Sequence, residues 1–351
     1  MTKVAVIGTT TWGITLSLVL ARKDVEVSLW ARSKEEAHRL GRDGTKPAKL
    51  VGVTIPEQVT ITTSIEEAME DASAVILVVP SQTMRQNVQV VKPYINEGLI
   101  IISASKGLEI ETGKRMSEVI SEEIAPAFRG NICALSGPNL FAEILRDLPA
   151  VSVVAGFEDA AVKKAQKLLD APNFCVYTNS DIIGVELGGA LKNIIALGAG
   201  MLDGLRYGDN AKAALITRGL TEISALGTAL GASPLTFSGL AGLGDLIATC
   251  ASPLSRNHHV GEELAHGHTL EEIKASMDSV AEGVTTTKAA WELANKMGLE
   301  MPITEKIYEV LYEDASASEA MDKLLGAKGR HELVGRKWPL VSLFQRLKKK
   351  P

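Results

Sequence analysis

Lys192 sits inside an almost wholly apolar run, Glu186-Leu187-Gly188-Gly189-Ala190-Leu191-Lys192-Asn193-Ile194-Ile195. An ammonium buried without a partner is costly, so this one calls for an anion or an aqueous cleft. Gly188 and Gly189 strip side chains from the helix just before it, which lets a backbone or a ligand approach closely. Asp245, a lone carboxylate in the glycine-rich apolar segment 239–246, is the expected acidic partner. A structural buried ion pair is the plainer alternative for the two. Ser255-Arg256-Asn257 reads as a serine cap and a first helical turn, where free N–H groups beside an arginine make a phosphate site. Three more polar segments follow strand-like runs: 79–82, 103–107 with Lys106, and 135–139 with Gly137 and Asn139. Ligands of open α/β sheets bind at such strand ends, so all three are expected to face one crevice. Lys106 there is placed to meet an anionic substrate.

A second chemistry lies at the N-terminus. The strand-like 4–7 runs into Gly8-Thr9-Thr10-Thr11-Trp12-Gly13, which opens a helix. Backbone N–H groups and the helix dipole at such a start suit a pyrophosphate. The usual pattern is Gly-x-Gly-x-x-Gly, and Thr10 takes the middle glycine's place. The expectation is a slightly wider turn in which threonine hydroxyls make some phosphate contacts. The second strand ends Leu29-Trp30-Ala31-Arg32, where a strict NAD site carries Asp or Glu for the ribose hydroxyls. An arginine attracts a 2′-phosphate instead. NADPH is therefore expected as the preferred cofactor, with NADH the alternative and Arg32 on the adenosine side.

These residues need elements to hold them. Apolar runs at 4–7, 25–30, 59–62, 74–79, 99–103 and 132–135 alternate with amphipathic stretches such as 14–22, 65–70 and 114–123. Further strands are expected at 150–154 and 174–177, flanking a helix at 160–169. The pattern is that of parallel strands covered by helices on both faces, a Rossmann-type doubly wound sheet. From about residue 179 a period near 3.6 takes over, at 181–202, 212–230 and 285–296, so an all-helical part should follow. The expected division is a dinucleotide-binding domain at 1–178, a helical substrate domain at 179–332 and a basic amphipathic tail at 333–351.

Composition narrows the classes. Lys and Arg total 37 against 42 Asp and Glu, a net charge of −5, so no overall basic field exists to hold nucleic acid. Three scattered cysteines suit a reducing compartment better than a disulfide framework. The opening MTKVAVIG runs straight into a strand, and a cytoplasmic location is expected. The apolar stretch 182–202 is interrupted by Glu186, Lys192 and Asn193 and reads as a core helix, not a membrane span. No Cys or carboxylate cluster sits at metal-ligand spacing near His258-His259 or His266-Gly267-His268, which read as solvated loop or helix-surface residues, so no metal is expected.

The run 183–193, Asp203-Gly204 with Gly208-Asp209-Asn210, the run 214–219, the segment 239–245 and Ser255-Arg256-Asn257 together resemble bacterial NAD(P)-dependent glycerol-3-phosphate dehydrogenase. Val79-Pro80-Ser81, Ser105-Lys106-Gly107 and Ser136-Gly137-Pro138 match as well, and the likeness spans roughly residues 1–330. The resemblance implies reversible reduction of dihydroxyacetone phosphate to sn-glycerol 3-phosphate, a precursor for glycerophospholipid synthesis. It implies Lys192 as proton donor or acceptor, and substrate contacts at Lys106, Gly137, Asn139, Asp245, Ser255, Arg256 and Asn257. Cofactor contacts would fall on Thr11, Trp12, Arg32, Lys106, Arg256, Val280 and Glu282, and the protein would be a homodimer. Two further departures accompany Thr10. Asn139 stands where the family usually has Ser or Thr, and Phe141 where it often has Ala, so no cofactor role is carried to Phe141.

Other dehydrogenases fit less well. Hydroxy-acid relatives tend to carry Asn four residues after the lysine, where this chain has Ala196. Nucleotide-sugar oxidation needs a thiol, and Cys250 reads as a packing residue. A dinucleotide-sensing regulator without turnover is disfavoured by Lys192, Asp245 and Arg256 occurring together. The tail from Leu333 mixes Trp338, Leu340 and Phe344 with a terminal Lys348-Lys349-Lys350. Weak contact with an anionic membrane surface is one expectation for it, and a disordered or self-docked tail the plainer one.

Overall fold

The computed structural model describes residues 2–41, 52–277 and 281–326. Its strands are β1 (Lys3–Ile7), β2 (Glu26–Trp30), β3 (Val59–Thr62), β4 (Ala72–Leu77), β5 (Ile100–Ser103), β6 (Ile132–Ser136), β7 (Ala150–Gly156) and β8 (Phe174–Asn179). They form one sheet in the order β3-β2-β1-β4-β5-β6-β7-β8. The order reverses between β1 and β4, and a crevice for ligands opens at such a switch point. Val4, Val6, Ile76 and Ile102 are fully buried, because helices cover both faces of these strands. One pairing departs from the expected parallel sheet. β7 runs antiparallel to β6, with Leu135 opposite Val154. The chain between them, residues 137–149 with one short helix, turns back at the same end of the sheet, so no full crossover is needed.

The helices of the sheet half are α1 (Thr11–Ala21), α2 (Lys34–Leu40), α3 (Ile65–Met69), α4 (Met84–Val91), α5 (Met116–Glu123), α6 (Phe141–Ile144) and α7 (Asp159–Leu169). Ser33 and Ser64 cap α2 and α3 by accepting from Glu36 N and Glu67 N. Three residues after β8 the helical half begins. It comprises α8 (Ile182–Gly204), α9 (Gly208–Ala229), α10 (Asp245–Ala251), α11 (Arg256–Ala265), α12 (Leu270–Ser276), α13 (Glu282–Met297), α14 (Pro302–Tyr312) and α15 (Ala317–Leu325).

Helix α8 is the axis of that half. It is long and apolar enough to cross a membrane, yet 94% of its most apolar window is buried inside the protein, which makes it a core helix. Leu187, Leu191, Ile194, Leu197 and Met201 pack in one apolar cluster with residues of α9, α11, α13 and α14. Close crossings are made by glycines. A Cβ on Gly261 would lie 1.9 Å from the Leu197 carbonyl oxygen, and one on Gly200 1.9 Å from that of His258. Only hydrogen fits at either point, so α11 lies directly against α8.

The two halves are locked by a buried charge. Arg115, capping α5, reaches Glu186 on α8 at 2.5 Å, and Ser117 N and Oγ donate to the same carboxylate at 2.7 and 2.5 Å. Burial pushes the Glu186 carboxyl up, against the opposing pull of Arg115 and Ser117.

Candidate active site

Six residues beyond Glu186 on α8, the Lys192 ammonium is buried and donates to Thr249 Oγ1 at 2.6 Å and to Asp245 Oδ1. Asp245 opens α10 after the wide turn 240–244 and is 1% exposed. Its other oxygen accepts from Lys106 at 2.7 Å, and Lys106 also donates to the Gly137 carbonyl at 2.8 Å. One carboxylate thus holds two ammonium groups that come from different halves of the chain. Desolvation lowers the Lys192 pKa to about 8, with Lys106 pushing the same way and the Asp245 charge opposing both.

The glycines beside Lys192 act as their positions predict. A Cβ on Gly188 would meet the Ala241 carbonyl oxygen at 2.5 Å, and one on Gly189 would meet Ser136 Oγ at 2.3 Å. Their absence of side chains brings α8 against both the Asp245 turn and the end of β6. Gly137, at φ +129, makes a turn that a side chain would strain. Asn139 donates to Ser152 Oγ at 3.0 Å. Among the described residues five buried side-chain oxygens have no hydrogen-bond partner, and three of them, Ser103 Oγ, Ser136 Oγ and Asn139 Oδ1, lie at or just beyond the ends of β5 and β6. Unpaired polar atoms gathered at a crevice fit a polar ligand.

Ser255 caps α11, accepting from His258 N at 3.3 Å. Arg256 and Asn257 follow as the first helical residues, whose N–H groups lack intrahelical partners. The Asn257 side chain serves the scaffold: it donates to Asn193 Oδ1 at 2.8 Å and accepts from Gly283 N at 2.9 Å. For an anion it has its backbone N–H to offer. Ser255 and Arg256, with Phe141, Leu254 and Met277, line a cavity of about 520 Å³.

At the other end of the crevice, Gly8 has φ +117, and a Cβ there would lie 2.4 Å from the Val78 carbonyl oxygen. Thr10 needs no glycine, since its φ is −62. Its hydroxyl is spent on the fold, donating to the Val78 carbonyl and accepting from Gly13 N, each at 3.1 Å. The expected Thr10 hydroxyl contact with phosphate is corrected accordingly, because capping α1 occupies that oxygen. A Cβ on Gly13 would lie 2.1 Å from the Gly8 carbonyl oxygen, so the turn is closed tightly on the helix start. This cradle, with the open N–H groups of Thr11 and Trp12, fits a dinucleotide pyrophosphate. Trp12 packs 6.2 Å from Phe174, ring centroid to ring centroid. Arg32 lies exposed just past β2. Glu282 accepts from Ser81 N at 3.0 Å and from Ser81 Oγ, tying α13 to the end of β4. Val280 lies outside the described residues.

Thr249 and the Arg115–Glu186 pair were not singled out from sequence, and Ser81 and Asn193 stood only within motifs, with no role of their own. Thr249 was the most legible of them, one helical turn after Asp245 and so on the same face. Cys250 is fully buried and burial pushes its thiol up to about 12, which makes it an inert packing residue. Among the described residues no group of three His, Cys, Asp or Glu is arranged to hold a metal ion.

Models of the two parts of NAD-dependent glycerol-3-phosphate dehydrogenase match this chain, the N-terminus over residues 3–162 and the C-terminus over 181–322. A glycerol-3-phosphate dehydrogenase [NAD(P)+] of Dehalococcoides mccartyi is 60% identical, over 99% of this chain and 97% of its own. That match takes in most of the tail as well. The enzyme of the same name from Geobacter metallireducens is 46% identical over 92% of this chain and 96% of its own. The crystal structure of glycerol-3-phosphate dehydrogenase from Coxiella burnetii superposes with a TM-score of 0.86 at 34% identity, covering 93% of this chain and 99% of that one.

Proposed function

Because the chain belongs to the NAD-dependent glycerol-3-phosphate dehydrogenase family, we propose that the crevice between its sheet and α8 is the active site, with Lys192 as the acid–base group. The reaction is NAD(P)-dependent, reversible reduction of dihydroxyacetone phosphate to sn-glycerol 3-phosphate. The observation that carries the site assignment is the Lys192–Asp245–Lys106 cluster, assembled from both halves of the chain. When bound, the nicotinamide supplies hydride to the ketone carbon. Negative charge then builds on the ketone oxygen, and the Lys192 ammonium stabilises it and delivers the proton. A pKa near 8 keeps that proton in place at neutral pH while making it easier to give up than an ordinary lysine's. Asp245 steadies the ammonium through the transfer, and Thr249 fixes its direction. Lys106, tethered to Gly137, adds positive charge beside the substrate. The substrate phosphate is assigned to Arg256 and the first turn of α11, with Ser255 and Asn257 N. Asn139 and Gly137 shape the opposite wall.

The finer features are part of the same reading. NADPH is the preferred cofactor, supported by Arg32, whose guanidinium has no hydrogen bond to any described residue. Thr11, Trp12 and Gly13 take the pyrophosphate side with Gly8, and Glu282 is assigned a further cofactor contact, as is Val280 by the family resemblance alone. The working division is 1–178 for the cofactor and 179–332 for the substrate. The protein works as a cytoplasmic homodimer, and residues 333–351, which lie outside the described residues, touch anionic membrane surfaces weakly.

NADPH oxidation on addition of dihydroxyacetone phosphate tests the reading. Unphosphorylated dihydroxyacetone should give less than about a hundredth of the kcat/KM, since two or more charge-assisted hydrogen bonds to phosphate are lost. Equal turnover of the two ketones would remove the phosphate site from the account.

A further inference from the structure

The adenosine end of the crevice contains a carboxylate that the linear sequence does not place there. β2 ends without an acid, but Glu36, in the first turn of α2, folds back over that strand end. Its Oε2 accepts from Arg32 N at 2.9 Å, and its Oε1 accepts from the Thr9 hydroxyl. Thr9 belongs to the turn after β1, and Ile7 at the end of β1 is paired with Trp30 at the end of β2. The carboxylate therefore bridges the two adjacent strand ends. In open dinucleotide-binding sheets this is where an acidic side chain bonds the ribose hydroxyls. Helix capping alone accounts for the serine: Ser33 Oγ caps Glu36 N at 3.2 Å. It does not account for the carboxylate's second bond, which reaches out of the helix to the phosphate-binding turn.

We propose that Glu36 is the ribose-reading residue of this chain, supplying from α2 the acceptor that β2 lacks, and that it acts against Arg32 in choosing the cofactor. The carboxylate accepts from the 2′-hydroxyl of NAD(H) and repels the 2′-phosphate of NADP(H), while the exposed guanidinium of Arg32 attracts that phosphate. The chain's cofactor choice is then the balance of two opposite charges beside one another, so it accepts both dinucleotides. This rests on the reading of the 8–13 turn as the dinucleotide site.

The test is calorimetric binding of NADP+ and NAD+ to the full chain, which needs no turnover and so stands apart from the assignment of substrate. Glu36→Gln keeps an acceptor for Arg32 N and removes the charge. It should raise the ratio of NADP+ to NAD+ affinity by about five- to tenfold, the size of one unit charge a few ångströms away in a partly solvated site. Thr9→Val loosens the carboxylate but keeps its charge, and its ratio should stay well below that of Glu36→Gln. Arg32→Ala should move the ratio in the opposite direction. An unchanged or lowered ratio in Glu36→Gln, with a melting temperature close to the parent's, would overturn the proposal. An equal rise in Thr9→Val would do the same, by showing that only the shape of the turn matters. Failure of the parent to bind either dinucleotide would instead fault the reading of the turn and take the proposal with it.

Discussion

Lys192 shows how one residue's chemistry depends on two neighbours of opposite sign. Burial and Lys106 lower its pKa; Asp245 raises it, and the balance is about 8. With Lys192 as the proposed proton donor, reduction needs the amine protonated, so kcat/KM should be level below that value and fall as pH rises through it. Oxidation needs the neutral amine and should rise over the same window. Asp245→Asn removes the charge that does most to raise the pKa and leaves desolvation and Lys106 in place. Its falling limb should move to lower pH by at least about one unit. A pH–rate profile of the two proteins reads this, and a limb that stays put would separate Asp245 from the amine. Lys192 and Asp245 were legible because each is a lone charge in an apolar run, where burial forces a partner. Thr249 and Asn193 were not, since a hydroxyl or amide in a helix has an ordinary local use. Thr10 was legible as an irregularity, but its hydroxyl's destination depends on Val78, far away in sequence.

At the scale of elements, the proposed substrate phosphate site is only as well placed as α11. That helix presents Arg256, and its position is set by contact with α8 through Gly200 and Gly261. A methyl group at Gly261 meets backbone, which cannot turn aside, so α11 must move. Gly261→Ala should cost about 1–3 kcal/mol of stability. It should also raise the KM for dihydroxyacetone phosphate more than it weakens dinucleotide binding. Thermal melts with steady-state kinetics check both, and a wild-type KM would mean that α11 is not held by this crossing. The inner strands could be read from apolar runs because burial on both faces leaves no polar alternation, whereas the edge strands β3 and β8 keep exposed positions such as Thr60, Cys175 and Tyr177. The antiparallel β7 could not, because a buried strand reads alike in either direction. Helix α11 was legible from its serine cap, whereas its close packing on α8 depended on two glycines that only a pairing of helices makes meaningful.

For the whole molecule, the change of period near residue 179 located the switch from sheet to helices, with β8 ending at Asn179 and α8 starting at Ile182. The way the halves join was hidden. Glu186 looked like an interruption in a core helix, yet it is the carboxylate that Arg115 and Ser117 meet across the junction. Pairing across such distances in sequence has no local signature. The proposed active site lies at this same junction, with Lys106 supplied by the sheet half and Lys192 and Asp245 by the helices. The central claim is that the Lys192 amine carries the proton, and the most direct measurement is the single-turnover rate of Lys192→Ala at saturating NADPH and dihydroxyacetone phosphate. Lys192→Ala should fold, bind NADPH as the parent does and reduce substrate at least about a hundredfold more slowly, the usual contribution of a positioned acid. A rate within a few-fold of the parent's would contradict it.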